Sequence, residues 1–202
     1  MTAKLALSDI ADQRAYERER DSFRARIIEL KKLRRVAVGP IVTFVFENRD
    51  TIRFQIQEMA RVEKLLTDDA ILNELDTYNP LIPEPGELST TMFIEMVTDE
   101  EQRHWKPLLV GILDCLFLRI GEGDEAITIK ADIEEAHAEL LTREIPPSVN
   151  YVRFAVDRSG SGSEISEFRR GPVNLVIDHP NYQHATPLSE ATIETLMQDL
   201  RP

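Results

Sequence analysis

The chain has one cysteine, Cys115, among 202 residues. A lone thiol excludes an internal disulfide and a self-contained iron–sulfur cluster, which needs several thiolates. No apolar run approaches the roughly 18 residues that a membrane span requires, and the N-terminus lacks a signal-peptide core, so the expected compartment is the cytoplasm. Positive charge is scarce as well. There are 24 Lys and Arg against 36 Asp and Glu, a formal net charge of −12 and a sequence pI near 4.8. Such a chain is poorly suited to phosphate backbones, and no nucleic-acid partner is expected. Four signatures are also missing: a Walker loop, a dinucleotide fingerprint, a C-x-x-C-H haem attachment and a G-x-S-x-G elbow.

What is present describes a globular protein. Hydrophobic residues make up 42% and charged residues 30%, enough to bury a core within one domain of ordinary size. The charge is unevenly placed. Residues 1–35 hold ten Lys and Arg against six Asp and Glu, so this stretch is +4 and the remainder carries −16. Such a start reads as a solvated helix face laced with ion pairs. The sharper alternative is a docking surface for an acidic partner or for an acidic patch on a second copy.

The chain is organised around Val42 to Leu66. Val42, Phe44 and Phe46 alternate with Thr43, Val45 and Glu47, a strand with β-formers on both faces and therefore inside a sheet. Glu47-Asn48-Arg49-Asp50 interrupts the pattern as a structural turn of Asn48, Arg49 and Asp50, with Asp50 as the expected N-cap of a helix. On that helix Ile52, Ile56, Met59, Val62 and Leu66 fall within an arc of about 120°. The first four are expected to be buried. Glu63 projects into the same arc. A carboxylate among aliphatic side chains must find a partner, reach solvent or take a proton.

The rest of the chain alternates short elements. A long helix is expected over 12–33 on Tyr16, Phe23, Ile27 and Leu30, then a short strand from Arg35 to Val38 and a turn at Gly39-Pro40. A helix follows from Asp68 to Tyr78, then a strand from Thr90 to Val97. Thr98-x-x-Glu101 has capping-box spacing and opens a helix over 99–110, with Pro107 forcing a kink or an early end. Ile112 to Ile120 reads as a strand that buries Cys115 beside Leu113 and Phe117, paired with Ala126 to Lys130. Ala131 to Thr142 reads as a helix, Asn150 to Val156 as a strand, and Ser159 to Ser163 as a loop. Val173 to Ile177 reads as the last strand, and Thr186-Pro187 as the start of a final helix carrying Ile193, Leu196, Met197 and Leu200. Short connections and hairpins favour an α+β fold, a single domain with a mainly antiparallel sheet packed with several helices.

Two of the four histidines, His179 and His184, stand five positions apart where a strand meets a proline turn. Neutral imidazoles there, with Asp178 or a glutamate such as Glu47, Glu58 or Glu63, suit a divalent transition metal such as iron, zinc or manganese. The spacing matches no standard metal motif, and Glu58 and Glu63 point about 140° apart on their helix. The alternative is that Asp178 and His179 build a turn and that His184 lies on the surface, as His104 and His137 do.

Several segments together resemble a bacterial family known only as the domain-of-unknown-function 3501 family. They are Phe23 to Lys32, Val38-Gly39-Pro40, Phe46 to Thr51, Phe54 to Met59, Glu74 to Pro83, Leu109 to Ile112, and Asp178-His179-Pro180-x-Tyr182-x-His184. Their order spans nearly the whole chain. The resemblance brings no settled activity. It implies a redox or peroxide-stress setting, with a rubrerythrin-like or iron–sulfur oxidoreductase protein as partner. Two functions follow as expectations. One is a non-catalytic accessory protein that docks onto a redox partner. The other is a small metal-dependent or acid–base enzyme using His179 and His184 with Glu58 or Glu63. A homo-oligomer is compatible with either.

Overall fold

The structure, a computed structural model, describes residues 4–133, 146–157, 160 and 162–200. Chain order is α1 (Gln13–Arg34), β1 (Arg35–Val38), β2 (Val42–Glu47), α2 (Arg49–Glu63), α3 (Asp68–Tyr78), β3 (Glu87–Ile94), α4 (Asp99–Leu108), β4 (Leu116–Ile120), β5 (Ile127–Lys130), β6 (Asp132–Ile133), β7 (Val149–Ala155), α5 (Ser163–Arg170), β8 (Val173–His179), β9 (Tyr182–Pro187) and α6 (Glu190–Asp199). The strands form two sheets, ordered β1-β2-β3-β7-β6 and β5-β4-β8-β9. Every pairing among the described residues is antiparallel. The fold is therefore α+β in a single compact unit.

The two sheets share one core. Phe44, Phe46, Met92 and Phe154 from the first sheet pack in the same cluster as Leu116, Leu118, Leu175 and Ile177 from the second, with Leu196 of α6 and Leu200 just beyond it. The alternate residues of β2 are buried too, so the whole strand is covered on both faces. A second cluster joins Ile52 and Ile56 of α2 to Leu75, Leu81 and Ile82. A third holds Tyr16, Phe23 and Ile27 of α1 against Phe54. Sheet and helices thus enclose layers of aliphatic side chains, each burial contributing about 1.5–3 kcal/mol.

Local chemistry decides the element ends, and several differ from the expectation. The N-cap of α2 is Asn48, not Asp50. Its side chain accepts from Thr51 N–H at 3.0 Å while its own N–H donates to Thr51 Oγ1 at 2.9 Å. This reciprocal pair starts the helix two residues earlier than an Asp50 cap would. At the other end Lys64 takes the left-handed conformation, φ 57°, and terminates α2. Leu66 therefore falls beyond the helix and is 76% exposed, while Val62, still within α2 but uncovered near its end, is 65% exposed, and Met59 is only half-buried.

Ile112–Cys115 is a 3₁₀ turn, and β4 begins only at Leu116. Cys115 is consequently half-buried rather than enclosed in a strand face. Burial first, then Asp114 and Asp178, push its thiol above the usual range, which suits an inert thiol. Thr186-Pro187 ends β9, and α6 is capped by Ser189, whose Oγ accepts from Thr192 N–H at 3.1 Å. Of the helix expected over Ala131 to Thr142, Asp132–Ile133 is strand β6 and 134–142 lie outside the described residues. Of the loop expected from Ser159 to Ser163, residues 159 and 161 lie outside them, and Ser163 opens α5.

Candidate functional site

The Asp178-to-His184 segment is a tight hairpin in which His179 pairs with Tyr182 across Pro180-Asn181. Both ring nitrogens of His179 are engaged. Nε2 lies 2.9 Å from the Val110 carbonyl, and Nδ1 accepts from Asn181 N–H at 3.3 Å. That pattern fits the tautomer with hydrogen on Nε2 and leaves no free lone pair for a metal. Asn181 Nδ2 donates to the Leu108 carbonyl at 3.0 Å, and Gln183 Nε2 donates to Asp178 Oδ1 at 2.9 Å.

Tyr182, 1% exposed, ties the hairpin to the β1–β2 turn. Its hydroxyl donates to the Val38 carbonyl at 2.8 Å and accepts from Ile41 N–H at 3.2 Å. The ring packs edge-on to Trp105 and 4.5 Å from the imidazole of His184. Gly39 is required beneath it. Its φ is +73°, and a Cβ there would stand 2.5 Å from Tyr182 Oη and 2.6 Å from the His184 ring. Three of the segments that carry the family resemblance, Val38-Gly39-Pro40, Leu109 to Ile112 and the Asp-His-Pro hairpin, thus meet in one latch. The polar atoms of His179, Asn181 and the Tyr182 hydroxyl are spent on holding the chain.

The glutamates of α2 face elsewhere. Glu58 receives the Tyr16 hydroxyl at 2.7 Å and both Nε and Nη2 of Arg20, at 2.8 and 2.9 Å. The Arg20 guanidinium, with help from Tyr16 and against the cost of burial, holds its carboxyl down at about 2. Burial, then the neighbouring Glu58 carboxylate, pushes the Tyr16 phenol well above its ordinary range. Glu63 is exposed at the end of α2, on the side of Glu74, whose carboxyl is raised by burial and by Glu63. Glu47 is buried in β2. Its Oε1 accepts from Thr91 Oγ1 at 2.6 Å and its Oε2 has no hydrogen-bond partner.

These groups do not gather. The partners of Glu58 lie on α1 and α2, whereas those of His179 lie at the end of α4 and in its own hairpin. Among the described residues no group of three or more His, Cys, Asp and Glu side chains could hold a metal ion. Asn48 caps α2, and Arg49 pairs with Asp9 at 2.7 Å. Of the other histidines, His104 is exposed on α4 with its ring against Trp105, and His137 lies outside the described residues.

A different feature stands out on α1. Arg24, Ile28, Lys31 and Arg35 recur at i, i+4, i+7 and i+11, one stripe along the helix and its continuation. With Ile27, Lys32 and Phe54 of α2 they line a groove of about 380 Å³ whose floor is apolar. Ile28 is 41% exposed in it. Lys32 pairs with Glu29 at 2.7 Å and Arg35 with Glu95 at 3.6 Å, both on the surface. Arg24 and Lys31 make no ion pair among the described residues. The excess of cations in residues 1–35 pointed to this helix; the spacing of the stripe was the signal that would have located the groove.

No helix among the described residues is long and apolar enough to cross a membrane. No curated protein matches the chain. The fold closely matches the crystal structure of a protein of unknown function from Burkholderia pseudomallei K96243. That protein is 31% identical, with a TM-score of 0.84 over 98% of this chain and all of the other. Neither that description nor the family's names a redox role. The family model for the protein of unknown function DUF3501 matches residues 4–200, and the chain belongs to that family.

Proposed function

We propose that this protein is a non-catalytic accessory protein whose groove between α1 and α2 receives an acidic, amphipathic segment of a protein partner. The observation behind the reading is the ring of Arg24, Lys31, Lys32 and Arg35 around an apolar floor on a chain of formal charge −12. An amphipathic helix would lay its apolar side on Ile28 and Phe54 while its carboxylates reach the cations. Exposed ion pairs contribute only about 0.2–1 kcal/mol each. The cations therefore set orientation and association rate, and the apolar floor supplies most of the affinity.

The partner we favour is the kind the family resemblance implies, a rubrerythrin-like or iron–sulfur oxidoreductase protein in a redox or peroxide-stress setting. The proposed compartment is the cytoplasm, where an unpaired thiol such as Cys115 is at home. The alternative enzyme would need His179, His184 and Glu58 or Glu63 in one place, whereas His179 is bonded to the Val110 carbonyl and Glu58 to Arg20.

The reading is tested by calorimetric titration of the purified protein against a rubrerythrin-like protein and an iron–sulfur oxidoreductase from its own source. A complex with one of them that weakens at least about tenfold in Arg24→Glu/Lys31→Glu supports it. Absence of binding to both, or binding indifferent to the reversal, contradicts it.

A further inference from the structure

A second groove, separate from that on α1, runs between the C-terminal end of α5 and α6, with a volume of about 700 Å³. Leu188 and Met197, both buried, and the half-buried Ile193 form its apolar lining. One wall carries Arg169 and Arg170, followed by Gly171-Pro172. The other carries Glu190 and Glu194, one turn apart on α6. The walls are opposite in sign, yet they do not meet within one molecule. Among the described residues Arg169, Glu190 and Glu194 make no ion pair, and Arg170 reaches only Glu167, at 3.8 Å and largely exposed.

We propose that this groove lies in the interface of a homodimer, its walls set against those of the same groove in a second copy. A two-fold interface brings a surface against itself, so the surface must be self-complementary. With the axis lying along the groove, the arginine wall of each copy faces the glutamate wall of the other, and the match occurs twice. An axis across the groove would set arginine against arginine, so the charges also select the orientation. The same pattern disfavours other occupants. An acidic segment meets the Glu190 and Glu194 wall, and a basic one meets Arg169 and Arg170. Two arginines and two glutamates make the patch locally neutral on a chain of −12, so a second acidic copy meets little repulsion within a Debye length of this surface. Of the apolar lining only the half-buried Ile193 has surface left to bury, so the paired charges carry most of the recognition.

The test is sedimentation velocity on the full chain at up to about 200 µM, in the range where weak dimers form. All four charged side chains line a surface groove, and circular dichroism with thermal melting confirms that each variant remains folded. The wild type is expected to dimerise. Arg169→Glu/Arg170→Glu and Glu190→Arg/Glu194→Arg are each expected to raise the dissociation constant at least about tenfold, by setting like charges face to face. An equimolar mixture of the two variants is expected to recover a dimer, because opposite walls meet again. A monomeric wild type, or a mixture no more dimeric than either variant alone, overturns the proposal.

Discussion

Arg34 shows how a single side chain joins distant parts of the chain. It is 1% exposed at the end of α1. It donates to Asp199 of α6 through Nη1 at 2.7 Å and Nη2 at 3.0 Å, and its Nη1 lies 3.4 Å from the carbonyls of Phe46 and Glu47. Burial raises the Asp199 carboxyl while Arg34 draws it down. Arg34→Met leaves the largely buried Asp199 side chain unpaired and is expected to cost about 3 kcal/mol in urea unfolding. Adding Asp199→Leu should recover most of that loss, since the desolvated charge is gone. A second residue-scale prediction concerns pH. The folded-state carboxyl of Glu58 lies near 2, below its ordinary 4.5. A depressed carboxylate adds stability that is complete above the ordinary value and lost as pH falls from about 4.5 towards 2. Between those values the melting temperature of the wild type should therefore fall more steeply than that of Glu58→Gln.

Elements here are held by latches that draw on residues far apart in sequence. The β8–β9 hairpin is fixed to the β1–β2 turn through Tyr182, whose hydroxyl serves one donor and one acceptor. Tyr182→Phe leaves the Val38 carbonyl and Ile41 N–H unsatisfied in a buried place, at a cost of roughly 1–3 kcal/mol in chemical denaturation. Gly39→Ala should be harsher, since it adds left-handed strain to a clash. The alternation of Val42 to Phe46 and the periodicity of Tyr16, Phe23 and Ile27 were legible, because each repeats with its element's period over several residues. The end of α2 was not, because Lys64 in the left-handed conformation is a residue type that gives no such warning. The hairpin strand β9 was hidden for another reason. Five of its six residues are partly or fully exposed, so it carries no inward alternation. The polar content of the Asp178-to-His184 segment was visible and suggested chemistry. Its carbonyl partners, Val110, Leu108 and Val38, are backbone groups that no side-chain pattern announces.

At the scale of the molecule, two sheets share a core while the helices cover the remaining apolar faces and leave charge outside. The acidic surface has an interruption along α1, where Arg24, Lys31, Lys32 and Arg35 surround Ile28 and Phe54. This groove is proposed to bind acidic amphipathic segments, whatever protein bears them. It is tested most directly by titrating the protein with a helical peptide that has leucines on one side and glutamates flanking them. A peptide with lysines in place of the glutamates serves as the control. Saturable binding of the acidic peptide is expected, weakening as salt shortens the Debye length towards about 8 Å, with loss of that binding in Arg24→Glu/Lys31→Glu. Equal binding of the lysine peptide, or undiminished binding of the acidic peptide by the variant, would contradict it.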